Sequence, residues 1–426
     1  MPLQLNLFSE ATLDTEFRSI MRMIPASESD YATHNLHPYP GKFLPHYPRI
    51  FIQYYSREGD LVIDPMCGSG TTLIEACLLN RRAYGTDIDP VAALVARVSI
   101  TPLSYETLVQ YERTLMGILS SRMTSRDAEK VELPSDEDFP NITLWFREDN
   151  LRDLLLVRNS ILELPTTGPL RDFGLLCLSS IVRTVSNADP RDIFPERDRE
   201  KPVRDRVDVL STFKRAFHDN ASRVTDFSRQ VHGETRGTAT QGDARSIDLP
   251  PCSAHLVFSS PPYAYAMDYA RVHQLSTLLF VLNNDGFRAH RPKYIGTDRI
   301  SVAEPLGSFE GFEFARDEIQ SVYEDNRKLG LILYKYFADM HLVTLECKRI
   351  LKPEGHLIYV VGNSTVRGTH FHTTEVITRI CKGLGFNIAE QLQRPYYAYR
   401  MSRKRNAQSN TIKADVFIVA EKLNDR

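Results

Sequence analysis

Apolar residues follow two distinct rhythms along this chain, and the rhythm switches twice. From about 45 to 100, short β-branched runs alternate with helical segments. The pattern predicts a helix over roughly 45–56, a strand at Asp60–Ile63, a turn at Asp64–Gly70 and a helix at Thr71–Asn80. A strand at Arg82–Thr86, ending at Asp87, and a helix from about Pro90 follow. Such alternation is the signature of βαβ units in a parallel sheet. From about 104 to 238 it gives way to charged amphipathic helices, including 150–164, 169–187 and 207–231. Pro-containing, charge-dense stretches at 133–140 and 189–206 separate them, and the whole region reads as an inserted helical module. Strand patterning resumes with Gln241–Arg245 and the run 254–258. A second irregular stretch (about 283–312) precedes a long helix over 315–349, a strand at His356–Val361 and a helix at 373–384. Two last strands near 386–391 and 414–420 are separated by a loop from Arg394 to Asn410.

Composition narrows the class. With 426 residues the chain exceeds the usual single domain, so one large domain with an insertion, or two domains, is expected. The 42% hydrophobic and 25% charged residues suit a globular protein with a sizeable core. No apolar run approaches the roughly 18 residues needed to span a bilayer, and the first residues lack the basic flank of a signal peptide. Six cysteines without CxxC spacing point to reduced thiols in a cytoplasmic protein and away from zinc. At a net charge of −2, any nucleic-acid binding must rest on local basic patches.

Two motifs carry chemistry. In Asp64-Pro-Met-Cys-Gly-Ser-Gly-Thr-Thr72, Gly68 and Gly70 allow the backbone to pass close to a ligand and turn into a helix with free N–H groups at its start. A P-loop is excluded because the Gly-Lys-Ser/Thr ending is absent. A dinucleotide-binding turn is the nearer rival, since its acidic ribose ligand also lies about 20 residues on. Here that acid is Asp87, at the end of the next strand and placed to accept from two ribose hydroxyls. The plainest alternative is an ordinary Gly-rich turn.

The second motif, Ser260-Pro261-Pro262-Tyr263, follows the apolar run 254–258. Paired prolines restrain the backbone, so the Ser260 hydroxyl and the Pro261 carbonyl face one spot, and both accept hydrogen bonds from an NH₂ group. An exocyclic amine is a poor nucleophile because its lone pair is delocalised into the ring. Acceptors around its hydrogens aim that lone pair at an electrophilic methyl. Tyr263 can stack on a base swung out of a duplex. The alternative is a Pro-Pro turn with a packing aromatic. A C5-cytosine mechanism is rejected: it needs a cysteine after Pro just beyond the catalytic strand, whereas Pro251-Cys252 precedes it and reads as a surface turn.

On these residues the chain resembles amino-group DNA methyltransferases dependent on S-adenosylmethionine. The resemblance implies a Rossmann-like class I α/β fold, with a mostly parallel seven-stranded sheet, an antiparallel last strand and a helical insertion. It covers roughly 31–100, 240–275 and 335–422, and includes the segment 34–50 with Lys42 and the Leu351-Lys-Pro-Glu-Gly355 region. The implied division is 1–103 (cofactor motifs), 104–238 (insert, a candidate for target recognition) and 239–426 (catalytic motif). Cofactor contacts are expected at Lys42, Asp64, Pro65, Cys67, Gly68, Ser69, Gly70, Thr71, Thr72, Asp87 (ribose), Ile88, Asp243 (adenine) and Ala244. Ser260, Pro261, Pro262 and Tyr263 would hold the target base. Met66-Cys67 stands where the family commonly has Phe, a change expected to be tolerated as an apolar wall. Ser in first position of the tetrapeptide is typical of N4-cytosine enzymes and Asp of N6-adenine enzymes, so cytosine N4 is favoured with adenine N6 as the alternative.

Basic and aromatic residues interleave from Arg394 to Arg405, and Arg394, Arg400, Arg403, Lys404 and Arg405 are expected to contact phosphates of double-stranded DNA. A solvated basic loop is the alternative. Tyr265, Asp268, Tyr269 and Arg271 are candidate base-pocket residues, some of them simply packing. His37, His46, His370 and His372 form no credible metal set. The implied setting is cytoplasmic and nucleoid-associated, in restriction-modification or a related defence system with cognate proteins, without membrane or metal. Rivals are a guanine-N2 RNA methyltransferase, expected to carry an extra module where this chain has about 60 residues, and a non-catalytic nucleic-acid-binding subunit, for which degraded motifs would be expected.

Overall fold

Five parallel strands stand side by side, and a sixth and seventh extend the same sheet. The computed structural model describes residues 29–189, 192, 194–197, 205–231, 237–263, 268–280, 284–366, 369–395 and 414–424. Helix α1 (His46–Tyr55) leads into β1 (Leu61–Asp64), α2 (Thr71–Leu78), β2 (Arg82–Asp87) and α3 (Pro90–Ser99). Helices α4 (Tyr105–Thr124), α5 (Glu148–Glu163), α6 (Gly168–Val185) and α7 (Val209–Gln230) precede β3 (Gly237–Gln241) and β4 (Ala254–Ser259). Short helices α8 (Gln274–Phe280) and α9 (Asn284–His290) lead to α10 (Arg316–Asp325) and α11 (Arg327–Ile350). Next come β5 (Leu351–Val361), the hairpin β6 (Ser364–Val366) and β7 (Thr369–Phe371), α12 (Thr373–Gly383), β8 (Phe386–Pro395) and β9 (Ala414–Lys422).

The seven-stranded sheet has the order β3-β2-β1-β4-β5-β9-β8. Strands β3, β2, β1, β4 and β5 pair in parallel, whereas β9 runs antiparallel to both neighbours. This is the expected class I methyltransferase sheet with its reversed last strand. Alternation along each strand sorts side chains between two cores. Val62, Leu256, Phe258, Ile358, Val360, Phe417 and Val419 face the layer of α1 and α2. Ile63, Val257, Leu357, Tyr359, Val361 and Ile418 face α10, α11 and α12. Both faces are thus covered, which is why these strands are apolar runs rather than half-polar ones. Helices α4 to α7 gather around a third core that also takes in Leu36, Val91, Val95 and Val98 of α3, and Leu275 and Tyr294.

Most predicted boundaries lie within two residues of the observed ones; three differences have physical causes. The single helix expected over 315–349 is two, because Asn326 leaves the helical region (φ −144°, ψ 93°) and its side chain accepts the Leu329 N–H to cap α11. Gly330 allows the join, since a Cβ there would lie 2.4 Å from the Tyr323 Cα. Gln241–Arg245 is not all strand: β3 ends at Gln241, and Asp243 and Ser246 form a one-bridge turn. The irregular stretch from 283 contains α9.

Candidate active site

The chain order reverses between β1 and β4: the strands from β1 spread towards β3, and those from β4 towards β8. Such a switch point opens a crevice at the carboxyl ends of the strands, where ligands of open α/β sheets bind. Both sequence motifs lie there, one after β1 and the other after β4. Asp64 joins them. Its buried carboxylate accepts from Ser259 Oγ at 2.7 Å and Thr72 Oγ1 at 2.8 Å, so residues 195 apart in sequence are hydrogen-bonded neighbours. Burial pushes Asp64 up to about 6, against the pull of the Ser259, Thr72 and Met66 donors. Pro65 and Cys67 are buried, and Cys67 N–H donates to the Thr86 carbonyl at 3.0 Å, closing the turn against β2.

The glycines do what the turn demands. Gly68 (φ +52°) and Gly70 (φ +85°) are left-handed, and a Cβ on Gly70 would sit 3.0 Å from the Ala96 Cα. Gly70 caps α2, so Thr71 and Thr72 begin a helix pressed against α3, and they and the preceding Ser69 are all buried. The Gly68 N–H donates to Asp87 Oδ2 at 2.8 Å, and the Asp89 N–H to Asp87 Oδ1 at 2.9 Å. Burial, with the adjacent Asp89 charge, raises Asp87 to about 7 despite these two donors. A carboxylate offers about four lone-pair sites. Asp87 therefore has acceptor capacity left for a diol, and the two hydroxyls of a nucleoside ribose would be suitable donors to it. Asp89 caps α3 and takes His273 Nδ1 at 3.2 Å and Tyr294 Oη at 3.1 Å. Burial alone would raise Asp89; these partners hold it below the usual carboxylate range. Ile88 is half-buried, and its carbonyl lies 2.7 Å from His290 Nε2.

Asp243 sits two residues beyond β3, and the Gly242 N–H bonds the Asp87 carbonyl at 3.0 Å, so the two acids share one edge of the crevice. Arg245 holds Asp243 in a fork (2.8 and 2.6 Å) and reaches Asp339 at 2.7 Å. Ala244 turns into the core. Lys42 donates to the carbonyls of His34 (2.7 Å) and His37 (3.0 Å), fixing the turn before Phe43, and burial lowers its ammonium to about 8.

In the tetrapeptide, Ser260 Oγ donates to the Val360 carbonyl at 3.2 Å, Pro261 is buried, and Tyr263 Oη donates to Asp415 Oδ1 at 3.2 Å. Gly296, left-handed at φ +77°, backs the turn: its Cβ would lie 3.5 Å from the Tyr263 carbonyl. Asp268 caps the turn at Tyr269–Val272 and pairs with Arg291; Tyr269 packs beside Gly41, and Arg271 pairs with Glu196. Arg394 turns inward, lying over the Tyr47 ring and donating to its hydroxyl. Arg400, Arg403, Lys404, Arg405 and Tyr265 lie outside the described residues. Cys252 is exposed in the turn before β4, at the opposite end of that strand from the tetrapeptide. Among the described residues no His, Cys, Asp and Glu group is arranged to hold a metal, and no helix is long and apolar enough to cross a membrane.

Two further residues, which no sequence motif marks, hold these segments in place. Glu75, wholly buried on α2, takes Tyr31 Oη at 2.6 Å, His34 Nε2 at 2.7 Å and Arg49 Nη1 at 2.8 Å. It pins the segment 31–49 across the glycine-rich turn, where Tyr39 Oη would lie 3.4 Å from a Cβ on Gly68. One polar residue in the apolar helix Leu-Ile-Glu-Ala-Cys-Leu was the available signal. The second contributor is Asp415, next to the Tyr263 hydroxyl.

A family model described as DNA methylase matches residues 21–97. The type II methyltransferase M.MvaI of Kocuria varians is 24% identical over 398 residues, covering 89% of this chain and 87% of its own. The type II methyltransferase M.MjaII of Methanocaldococcus jannaschii is 34% identical over 400 residues, covering 73% of each chain. A tRNA (guanine(10)-N2)-dimethyltransferase of the same archaeon matches over only 52 residues at 44% identity, 12% of this chain and 15% of its own. Among solved structures, an S-adenosylmethionine-dependent methyltransferase from Methanosarcina mazei aligns over 88% of this chain and 97% of its own at 10% identity, with a TM-score of 0.32.

Proposed function

We propose, for a chain that belongs to the amino-group (N6/N4) DNA methyltransferase family and uses S-adenosylmethionine, that the acceptor is the exocyclic N4 of cytosine within a specific DNA sequence. The observation that carries the reading is the polarity of Ser260. A hydroxyl has one proton and two lone pairs. With the proton directed to the Val360 carbonyl, Oγ is left as an acceptor. A neutral acceptor, joined by the carbonyl of the next residue Pro261, would suit the two hydrogens of an amine, and a serine in this place is typical of the cytosine-N4 members that the chain resembles.

The cofactor supplies the electrophilic methyl. Asp87 would hold its ribose hydroxyls, Asp243 its adenine, and the turn from Asp64 to Thr72, with Lys42 steadying the segment above it, its remaining part. Ser260 and the Pro261 carbonyl orient the amine, and the Tyr263 ring supports the face of the base. Methyl transfer is then a direct in-line displacement, driven by positioning and polarity rather than by a covalent intermediate. The residues 104–238 would form an inserted module that contributes target recognition, and Arg400, Arg403, Lys404 and Arg405 would contact phosphates. The type II designation of the relatives supports a restriction-modification setting with cognate proteins.

The test is transfer of labelled methyl to unmethylated genomic DNA, followed by nucleoside mass spectrometry, with Ser260→Ala and Tyr263→Ala as controls. N4-methylcytosine is the expected product. N6-methyladenine would overturn the base assignment while keeping the chemistry, and label found only in RNA would overturn the DNA assignment.

A further inference from the structure

Tyr263 would act through the orientation of its ring, and a tyrosine at the end of a loop is free to rotate unless its hydroxyl is anchored. Here it is anchored to a strand that is distant in sequence. Asp415 is the second residue of β9, only 4% exposed, and accepts from Tyr263 Oη at 3.2 Å and Tyr47 Oη at 3.0 Å. The direction of each bond is fixed by chemistry. Arg394 can only donate, so the Tyr47 oxygen accepts from Arg394 and the Tyr47 proton goes to Asp415. Burial and the nearby Asp415 charge push the Tyr47 phenol up, so it stays a donor. Arg394 and Asp415 are directly opposed across β8 and β9, and Tyr47 is locked edge-on against Phe417 with ring centroids 4.9 Å apart.

The topology explains why β9 can serve. Because it runs antiparallel, its first residues, not its last, lie at the edge where β4 and β5 end. Val416 pairs with Val361, one residue from the Val360 carbonyl that binds Ser260. The tetrapeptide is therefore tied at its first residue to β5 and at its last to β9. A hydrogen bond to a buried carboxylate is charge-assisted, and holds a group more firmly than a neutral one.

We propose that Asp415 is a positioning residue for the base-supporting Tyr263 ring, itself oriented by the Arg394–Tyr47 pair. The proposal rests on the reading of the tetrapeptide as the base site. Its test measures kcat and the KM for DNA in Asp415→Asn, Tyr263→Phe and the double variant, with cofactor affinity and thermal midpoint alongside and Tyr263→Ala as reference.

Either single change is expected to lower kcat about tenfold, the scale of one charge-assisted hydrogen bond, with cofactor affinity unchanged. The double variant is expected to be no slower than the slower single one, because both cut the same bond. Losses that multiply, or a Tyr263→Phe enzyme as fast as wild type, would overturn the proposal, and Tyr263→Phe remains informative even where Asp415→Asn does not fold. Full activity in Tyr263→Ala would instead overturn the reading of the tetrapeptide itself. An inactive Tyr263→Ala beside a fully active Asp415→Asn would sink the positioning role alone.

Discussion

Cofactor binding should be coupled to the ionisation of Asp87. Burial and the Asp89 charge raise its carboxyl from 3.8 to about 7, so near neutral pH the free protein should hold Asp87 partly protonated. Ribose hydroxyls donate best to the ionised form and would draw the proton off. With a folded value near 7, the ionised fraction is about nine-tenths at pH 8 and about one-tenth at pH 6. If binding requires the carboxylate, affinity should fall roughly tenfold between these limits, about 1.4 kcal/mol. Titration calorimetry in two buffers of different ionisation enthalpy at pH 7 should register release of about half a proton per cofactor bound. In Asp87→Asn the affinity should be low and flat with pH. Affinity independent of pH in the wild type, or the same slope in Asp87→Asn, would refute the assignment.

The same shifts have a stability counterpart. Asp64 and Asp87 have folded values above their unfolded 3.8, so between 3.8 and 6 to 7 the folded chain binds more protons than the unfolded one. Their contribution to stability therefore falls as pH rises through that window, and denaturant midpoints should show a shallower loss in Asp87→Asn. Gly70→Ala should cost about 1–2 kcal/mol from the left-handed backbone alone, more with the Ala96 contact, read as a lower urea midpoint. Glu75→Gln, which leaves Arg49 facing a neutral partner, should destabilise by about 3–5 kcal/mol in the same assay. Asn326→Ala should cost about 1 kcal/mol through loss of the α11 cap.

What could be read from the sequence was whatever depends on neighbours along the chain. The Gly-Ser-Gly turn, the acid ending β2, and the paired prolines after an apolar run are local patterns with local causes, and each lies where the pattern indicated. Partners across the sheet were invisible. Nothing near Glu75 announces Tyr31, His34 and Arg49, and nothing near Arg394 says that its guanidinium is directed to Tyr47 rather than outward. The break at Asn326 was legible in principle, since a capping residue stands three before Leu329, but helical periodicity on both sides concealed it. Asp243 divides along the same line: its place just after β3 and the Arg245 fork two residues on are local, whereas the Asp339 carboxylate that Arg245 also reaches is 94 residues away.

The Asp64–Ser259 bond and the pairing of β1 with β4 join the turns after these two strands without using any residue of the helical excursion. The long helical excursion leaves after α3 and returns into β3, an outer strand paired only to β2. Changes in those helices that spare their contacts with the rest of the chain would therefore leave the two turns joined. A graft would have to preserve the apolar seam that includes Leu36, Val91, Val95, Val98 and Leu275, together with polar ties such as Ser179 to His37, Asn220 to the Leu36 carbonyl and Asp172 to Arg97. For an engineer, that seam marks where a foreign set of helices could be sewn in while the turns after β1 and β4 stay joined.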